Sequence, residues 1–481
     1  MITDDDYKLA KEAFVSGLEG TTAREVFAVF ALMPGTQWLY SEVMLLLEVA
    51  GLRAVGSGYF SLAVTIVIEF LLLSVPTMIA FTYAELVLPL LASVYFSALV
   101  LNLLSWKHAR EFVNKHCRKE KMNQLLESEL PFLTCFRAQI MHCTCFAILA
   151  VDFTVFPRRF AKTETFGFSV MDIGVGAFIV SSAIVSSYAR QTRPSAGAKR
   201  ISSRQVPRSP TQRIYAFLRP IVLVVILGVV RFLTVKGVNY QEHVTEYGVH
   251  WNFYFTLAGV YLVYSFLQLF GKAATSPMAA VFLVVAYQVY LTQYGGEDFI
   301  LNAPRDTLFS QNREGILSLA GYTSLYMLAV FTGQVIFSHM DLNGGKAMRN
   351  IRWLALSFAI ITVVLVVATF LITRLVARPS RRMVNLSYVL WVMAESVFLL
   401  GMYCVIQVVC MLPRTPLLFK GVSHNQLFIF FVTNLMTGAV NLSMRTIEAS
   451  PLVASVMLGV YMLAVSVLAT VLEHKQIRIK L

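Results

Sequence analysis

Asp152 and Lys162 stand ten residues apart in the stretch VDFTVFPRRFAKTETFG (151–167), which links two apolar runs and also carries Arg158, Arg159 and Glu164. A carboxylate near a lysine at a membrane boundary can work as a base pair. The lysine holds the carboxylate ionised, or desolvation lowers the lysine pKa until one member accepts a proton. Pro157 favours a bend between the two. Arg158 and Arg159 could grip a phosphate, whose geometry a guanidinium matches. The same charges would also serve a salt-bridged hairpin with interfacial snorkelling, and spacing leaves both readings open.

Three further stretches carry polar groups in repeating register. In VKGVNYQEHVTEYGVHWNFYFTL (235–257), His243, Glu246 and His250 recur at +3 and +4, so a helix would place them on one face, with Asn252 close behind. That spacing fits a metal site. No further ligand is evident, so hydrogen bonding to a sugar or inositol is favoured over a metal, a satisfied polar loop is the structural alternative, and no metal is assigned. In RPSRRMVNLSYVLW (378–391), Arg381 and Arg382 precede Asn385, Tyr388 and Trp391, a helical stripe entering a span. In HNQLFIFFVTNLMTGAVNLSM (424–444), Asn434, Thr437 and Asn441 share a face of an otherwise apolar helix. Such stripes either join helices or line ligand cavities.

The elements that must position these groups are membrane spans. The 481 residues are 57% hydrophobic and 14% charged, with a mean hydropathy of +0.67, outside the range of soluble domains. A span needs about 20 mostly apolar residues, and by that measure about 13 candidates appear. They lie near 26–49, 59–80, 83–104, 130–152, 168–188, 214–234, 253–271, 276–294, 316–338, 351–374, 384–411, 424–445 and 452–473. The first is interrupted by Pro34 and Gly35. The expected fold is therefore all-α and polytopic, one multi-span membrane domain over 1–481 with no soluble domain.

Charge orients it. The loops 105–129 and 189–213 are rich in Lys and Arg, and placing both in the cytosol puts the N-terminal tail (1–25) in the lumen and the C-terminus in the cytosol. The acidic tail lacks the marks of a signal peptide, which leaves the first span as the targeting signal. Against this bias, the lumenal connections 153–167 and 374–382 are basic, which an anionic ligand headgroup at that face would explain. The net charge of +13 resides mostly in loops, where topology and anionic lipid account for it rather than nucleic acid. The six cysteines show no metal-ligand spacing. His142, alone in an apolar span, reads as a core histidine. No Walker A loop, His-x4-Asp pair, Asp-His-His-Cys motif or Gly-x-Ser-x-Gly elbow is present.

Taken together, KEAFVSGLEG (11–20), AVDFTVFPRRFAKTETFGFSVMDIGVG (150–176), VKGVNYQEHVTEYGVHWNF (235–253), NREGILSLAGY (312–322), RRMVNLSYVLW (381–391) and NQLFIFFVTNLMTGAVNLS (425–443) resemble the PIG-W family, called Gwt-type in fungi. The blocks run in order over almost the whole chain. The resemblance implies an endoplasmic reticulum membrane O-acyltransferase of GPI-anchor biosynthesis with about 13 spans. It implies transfer of a fatty acyl group, typically palmitoyl, from acyl-CoA to the inositol of glucosaminyl-phosphatidylinositol. The acyl-CoA is a co-substrate and no cofactor is permanently bound. The family's catalytic aspartate and lysine correspond here to Asp152 and Lys162. Arg158, Arg159, Arg381 and Arg382 would hold the lipid phosphate. Glu164, the 235–253 block with His243, Glu246, His250 and Asn252, and Asn385, Asn434 and Asn441 would bind the headgroup or line an acyl tunnel. The rivals are an ion-coupled secondary transporter, a non-catalytic lipid-presenting subunit and a membrane-bound acyltransferase using a lone histidine.

Overall fold

The computed structural model describes residues 4–50, 59–116, 130–191, 221–233, 244–340, 347–410 and 414–479. Each apolar stretch read from the sequence carries a helix within these residues. Among the described residues eight helices are long and apolar enough to cross a membrane, or nine if Pro277–Gln293 and Gly296–Asn302, bent by 69°, form one span. Ile173–Ile184, Ile221–Leu233 and Phe253–Gln268 are shorter apolar helices. No strand occurs among the described residues; Thr21 and Phe168 make an isolated bridge. The protein is an all-helical polytopic membrane protein.

Burial separates inner helices from outer ones. In Pro131–Ala150 and Leu386–Val409, 78% of the apolar window is buried, against 17% in Met348–Leu375. The inner pair forms the core with Ala23–Val49, which packs along Val87–His116. The outer helices expose large apolar side chains such as Phe282, Trp353, Val363 and Phe370. Lipid hydrocarbon is the solvent such surfaces require.

Pro34 does not break the first span. Ala23–Val49 runs through it as one 27-residue helix capped by Thr22. Carbonyls of that turn accept side-chain donors instead, from Tyr95 Oη on Ala31 (2.8 Å) and Gln139 Nε2 on Met33 (3.0 Å). These bonds tie the turn around Pro34 to neighbouring helices. Gly35 lets the Tyr95 ring approach, since a Cβ there would lie 2.5 Å from it. The basic segment 105–129 is not all loop either, because the Val87–His116 helix continues into it. Most of 189–213 lies outside the described residues.

One buried charge cluster ties the bent-helix region to the connection before Leu386–Val409. Glu314, fully buried, accepts from Arg305 (2.5 Å) and Arg382 (2.8 Å), with Arg313 Nε at 3.8 Å. Arg313 also donates to the Ile300 carbonyl at 2.8 Å. Removing the single anion would leave three guanidinium groups sharing a dry site. Glu314→Ala is expected to destabilise the protein by about 3–5 kcal/mol, measured by thermal unfolding in detergent. A variant as stable as the parent would show the cluster to be dispensable.

Candidate functional site

The Pro131–Ala150 helix ends in a tight turn that delivers Asp152 to a cavity of about 710 Å³. Phe153, Phe156 and Phe160, all fully buried, anchor this turn in the core. Arg158 staples it. Its guanidinium donates to the carbonyls of Val151 (3.0 Å), Phe153 (3.1 Å) and Phe156 (2.9 Å), and lies 3.9 Å from the Phe14 ring centroid. Past the turn the chain is held by Asp172, which accepts from the Thr163 amide (3.1 Å) and hydroxyl (2.7 Å). Gly167, at φ +149°, lets the backbone press against Glu19, whose carbonyl would lie 2.3 Å from a Cβ.

Asp152 is 8% exposed and accepts from the Asn441 side-chain amide at 2.7 Å. Asn441 Oδ1 in turn accepts from Lys11 Nζ. Burial raises the Asp152 carboxyl above its ordinary range, opposed by the charge of Lys11, the Asn441 bond and the charges of Arg158 and Lys162. Lys162 therefore acts on Asp152 through space rather than by contact. Its ammonium instead sits 2.6 Å from Glu246. The ion-paired Asp152–Lys162 unit expected from spacing is replaced by Asp152–Asn441–Lys11 on one side and Lys162–Glu246–Arg381 on the other.

Arg381 bridges this second group, with Nη1 3.4 Å from Glu246 and Nε 3.1 Å from Asp172. For Glu246, burial is the largest influence and opposes ionisation. The adjacent Lys162 and Arg381 charges together outweigh it and bring the carboxyl down to about 2. Asp172 goes the other way: burial lifts it to about 6 despite Arg381. Two carboxylates touching one guanidinium thus differ because Glu246 faces a second cation and Asp172 does not.

The remaining expected site residues divide. Glu164, Asn252 and Asn434 line the cavity with Asp152, Lys162, Glu246 and Arg381. Asn252 also caps Phe253–Gln268, accepting from Tyr254 N and Phe255 N. His250 lies nearby, its amide donating to Asn312 (2.8 Å) and its ring 5.9 Å from Phe232. His243 falls outside the described residues. Asn385 caps Leu386–Val409 by accepting from Tyr388 N, and Arg382 belongs to the Glu314 cluster; neither lines the cavity. Arg159 points away, to Glu25 (3.0 Å) and Glu85 (3.6 Å). Of the four arginines expected to meet phosphate, Arg158 is spent on carbonyls, Arg159 on surface acids and Arg382 on Glu314, while Arg381 faces the cavity.

Sequence reasoning passed over Lys11 and Arg231. Arg231, on the cavity wall, donates to Asn434 Oδ1 at 2.7 Å. A charged residue inside an apolar helix was the available signal. For Lys11 it was the KEAFVSGLEG block. His142 is buried 6.5 Å from Phe419, away from the cavity lining, as a core histidine would be.

Fold and site define a multi-helix membrane protein with an internal apolar cavity, a buried carboxylate at one end and a set of cations beside it. The GWT1 family model matches residues 7–472, and the chain belongs to that family. It is 33% identical to the phosphatidylinositol-glycan biosynthesis class W protein of Dictyostelium discoideum, over 99% of both chains. It is 38% identical to GPI-anchored wall transfer protein 1 of Yarrowia lipolytica over 76% of each, and 33% identical to that of Aspergillus fumigatus over 99% of each.

The geometry separates the two arginines of the turn. Arg158→Ala is expected to cost about 1–3 kcal/mol of stability, because it strips donors from buried carbonyls. Arg159→Ala, on an exposed pair, should cost no more than about 1 kcal/mol. Thermal unfolding of the two variants side by side checks this, and equal losses would contradict the placement.

Proposed function

We propose that the protein is an O-acyltransferase of GPI-anchor biosynthesis that moves a fatty acyl group, of palmitoyl type, from acyl-CoA to an inositol hydroxyl of glucosaminyl-phosphatidylinositol. The observation that carries the reading is Asp152, buried at the head of an apolar-walled cavity and flanked by Lys162. The names of the related proteins support the pathway. The reading places the protein in the endoplasmic reticulum membrane, with about 13 crossings, a lumenal N-terminus and a cytosolic C-terminus.

Acylation of a secondary hydroxyl needs a base for its proton and a stabiliser for the oxyanion. Asp152, its basicity raised by burial, takes the proton as the inositol oxygen attacks the thioester carbonyl. A C–O bond forms, the tetrahedral oxyanion collapses, and the C–S bond breaks. The CoA thiolate leaves and recovers the proton from Asp152. Lys162, partly exposed to the cavity beside Glu246, is the cation available to the oxyanion. Arg381, one of the arginines expected to hold the lipid phosphate, supplies positive charge for it together with Arg231.

Asp152→Asn and Lys162→Ala should each abolish transfer of labelled palmitoyl from its CoA ester to glucosaminyl-phosphatidylinositol by purified protein, with expression retained. Turnover at the parental rate in either would refute the assignment. The pH profile gives a second check. Asp152 works as a base only when ionised, so the rate falls as pH drops through its raised pKa. The Asn441 bond favours the carboxylate and holds that pKa down. Asn441→Leu should therefore move the acid limb of kcat/KM to higher pH; an unmoved limb would assign it to another group.

A further inference from the structure

The cavity is built like a measured slot. Pro131–Ala150 and Gln426–Ser443 run parallel and in register, joined at three levels by pairs 289, 288 and 289 residues apart. Arg137 Nη2 meets Gln426 Oε1 at 2.9 Å, Thr433 Oγ1 meets Cys145 Sγ at 3.5 Å, and Asn441 Nδ2 meets Asp152 at 2.7 Å. Between the outer two levels one face of the first helix lines the cavity from Val151 down to Ile140, and one face of the second from Leu442 to Phe430. Each face is about 17 Å long at 1.5 Å per residue. Toward the lower end the walls are apolar apart from Asn434 and the Arg231 guanidinium that donates to it at 2.7 Å, and the Thr144 hydroxyl there is committed to the Ile140 carbonyl at 2.8 Å.

The lower end is closed in two layers. At the level of Ile140, Phe430 meets Phe253 (5.6 Å), Tyr254 (6.1 Å) and Phe178 (6.3 Å) as an aromatic floor. One turn below, Arg137 binds the Ser181 carbonyl (3.2 Å), Ser423 (3.1 Å) and Gln426 (2.9 Å), and Gln426 Nε2 returns a bond to the Arg137 carbonyl (2.9 Å). A hydrocarbon end that pushed past the rings would meet a guanidinium whose bonds it could not replace.

We infer that this slot measures the acyl donor: the thioester carbonyl sits at the Asp152 end, the alkyl chain runs down along the cavity-lining faces of the two helices, and Phe430 with Ile140 sets the chain length accepted. The inference rests on the acyl-transfer reading above. A chain shorter than the slot forfeits apolar burial for each missing methylene. A longer one must buckle or displace the floor, so selectivity is lost on both sides of an optimum.

The test offers the full-length protein an equimolar mixture of lauroyl-, myristoyl-, palmitoyl-, stearoyl- and arachidoyl-CoA with glucosaminyl-phosphatidylinositol, and reads the products by mass spectrometry. The parent should show a sharp optimum. Phe430→Ala, which opens the floor, should shift the stearoyl-to-palmitoyl product ratio about tenfold toward the longer chain. Thr144→Phe, which fills the slot one turn above the floor, should shift the myristoyl-to-palmitoyl ratio about tenfold the other way. A parent that uses all five donors equally, or variants that transfer acyl groups with the parental profile, would overturn the slot while leaving acyl transfer intact. A parent that transfers none of the five would instead remove the acyl-transfer reading itself. If either variant proves inactive, the parental profile and the other variant decide.

Discussion

A carboxylate that is 8% exposed at the end of an apolar helix must find donors within the protein, and for Asp152 that donor is the side-chain amide of Asn441. An amide stabilises the anion without neutralising it, which is why burial still prevails and leaves the group more basic than a surface aspartate. The bond has a long reach. Asn441 is in position only because its helix lies parallel to and in register with the one ending at Asp152, and the Arg137–Gln426 contact at the far end keeps that register. The cavity lies along the faces these two helices turn toward Ile173–Ile184, Ile221–Leu233 and Phe253–Gln268, beside the seam that the polar ties close.

The arginines show how the site is kept in shape without filling it. Arg158 spends its donors on the carbonyls of the turn that carries Asp152, so the turn needs no regular secondary structure to be rigid. Arg381 joins Asp172, which holds the returning strand of that loop, to Glu246, which holds Lys162. Lys162 is thus positioned by an acid from a distant part of the chain. The Glu314 cluster does similar work one layer out, anchoring the segment from which Arg381 projects. The Glu314 cluster pairs three cations with one anion, whereas beside the cavity Lys162 and Arg381 are matched by Glu246 and Asp172.

Much of this was legible in the chain. Apolar runs of span length located the helices because hydrocarbon admits little else. The polar stripe Asn434, Thr437 and Asn441 stood out against an apolar helix, and two of its members prove to face the cavity while the third holds Asp152. The partners of the charged groups were not legible. Spacing left open whether Lys162 would meet Asp152 and whether Arg158 and Arg159 would reach phosphate. Contacts 84 and 289 positions apart take Lys162 to Glu246 and Asp152 to Asn441, one 134 positions apart takes Arg159 to Glu25, and Arg158 is held by its own turn. Pro34 looked like a break and is not: the Ala23–Val49 helix runs through it, and Tyr95 and Gln139 tie that turn to other helices.

By itself the amino-acid sequence determined that the chain is a helical membrane protein and which residues hold reactive groups at span ends, since both depend on local composition and the length of apolar runs. The tertiary structure alone decided which carboxylate is basic, which lysine partner is an acid and which arginines reach the cavity. Those properties depend on desolvation and on charges a few ångströms away, and in a helix bundle such neighbours come from remote parts of the chain.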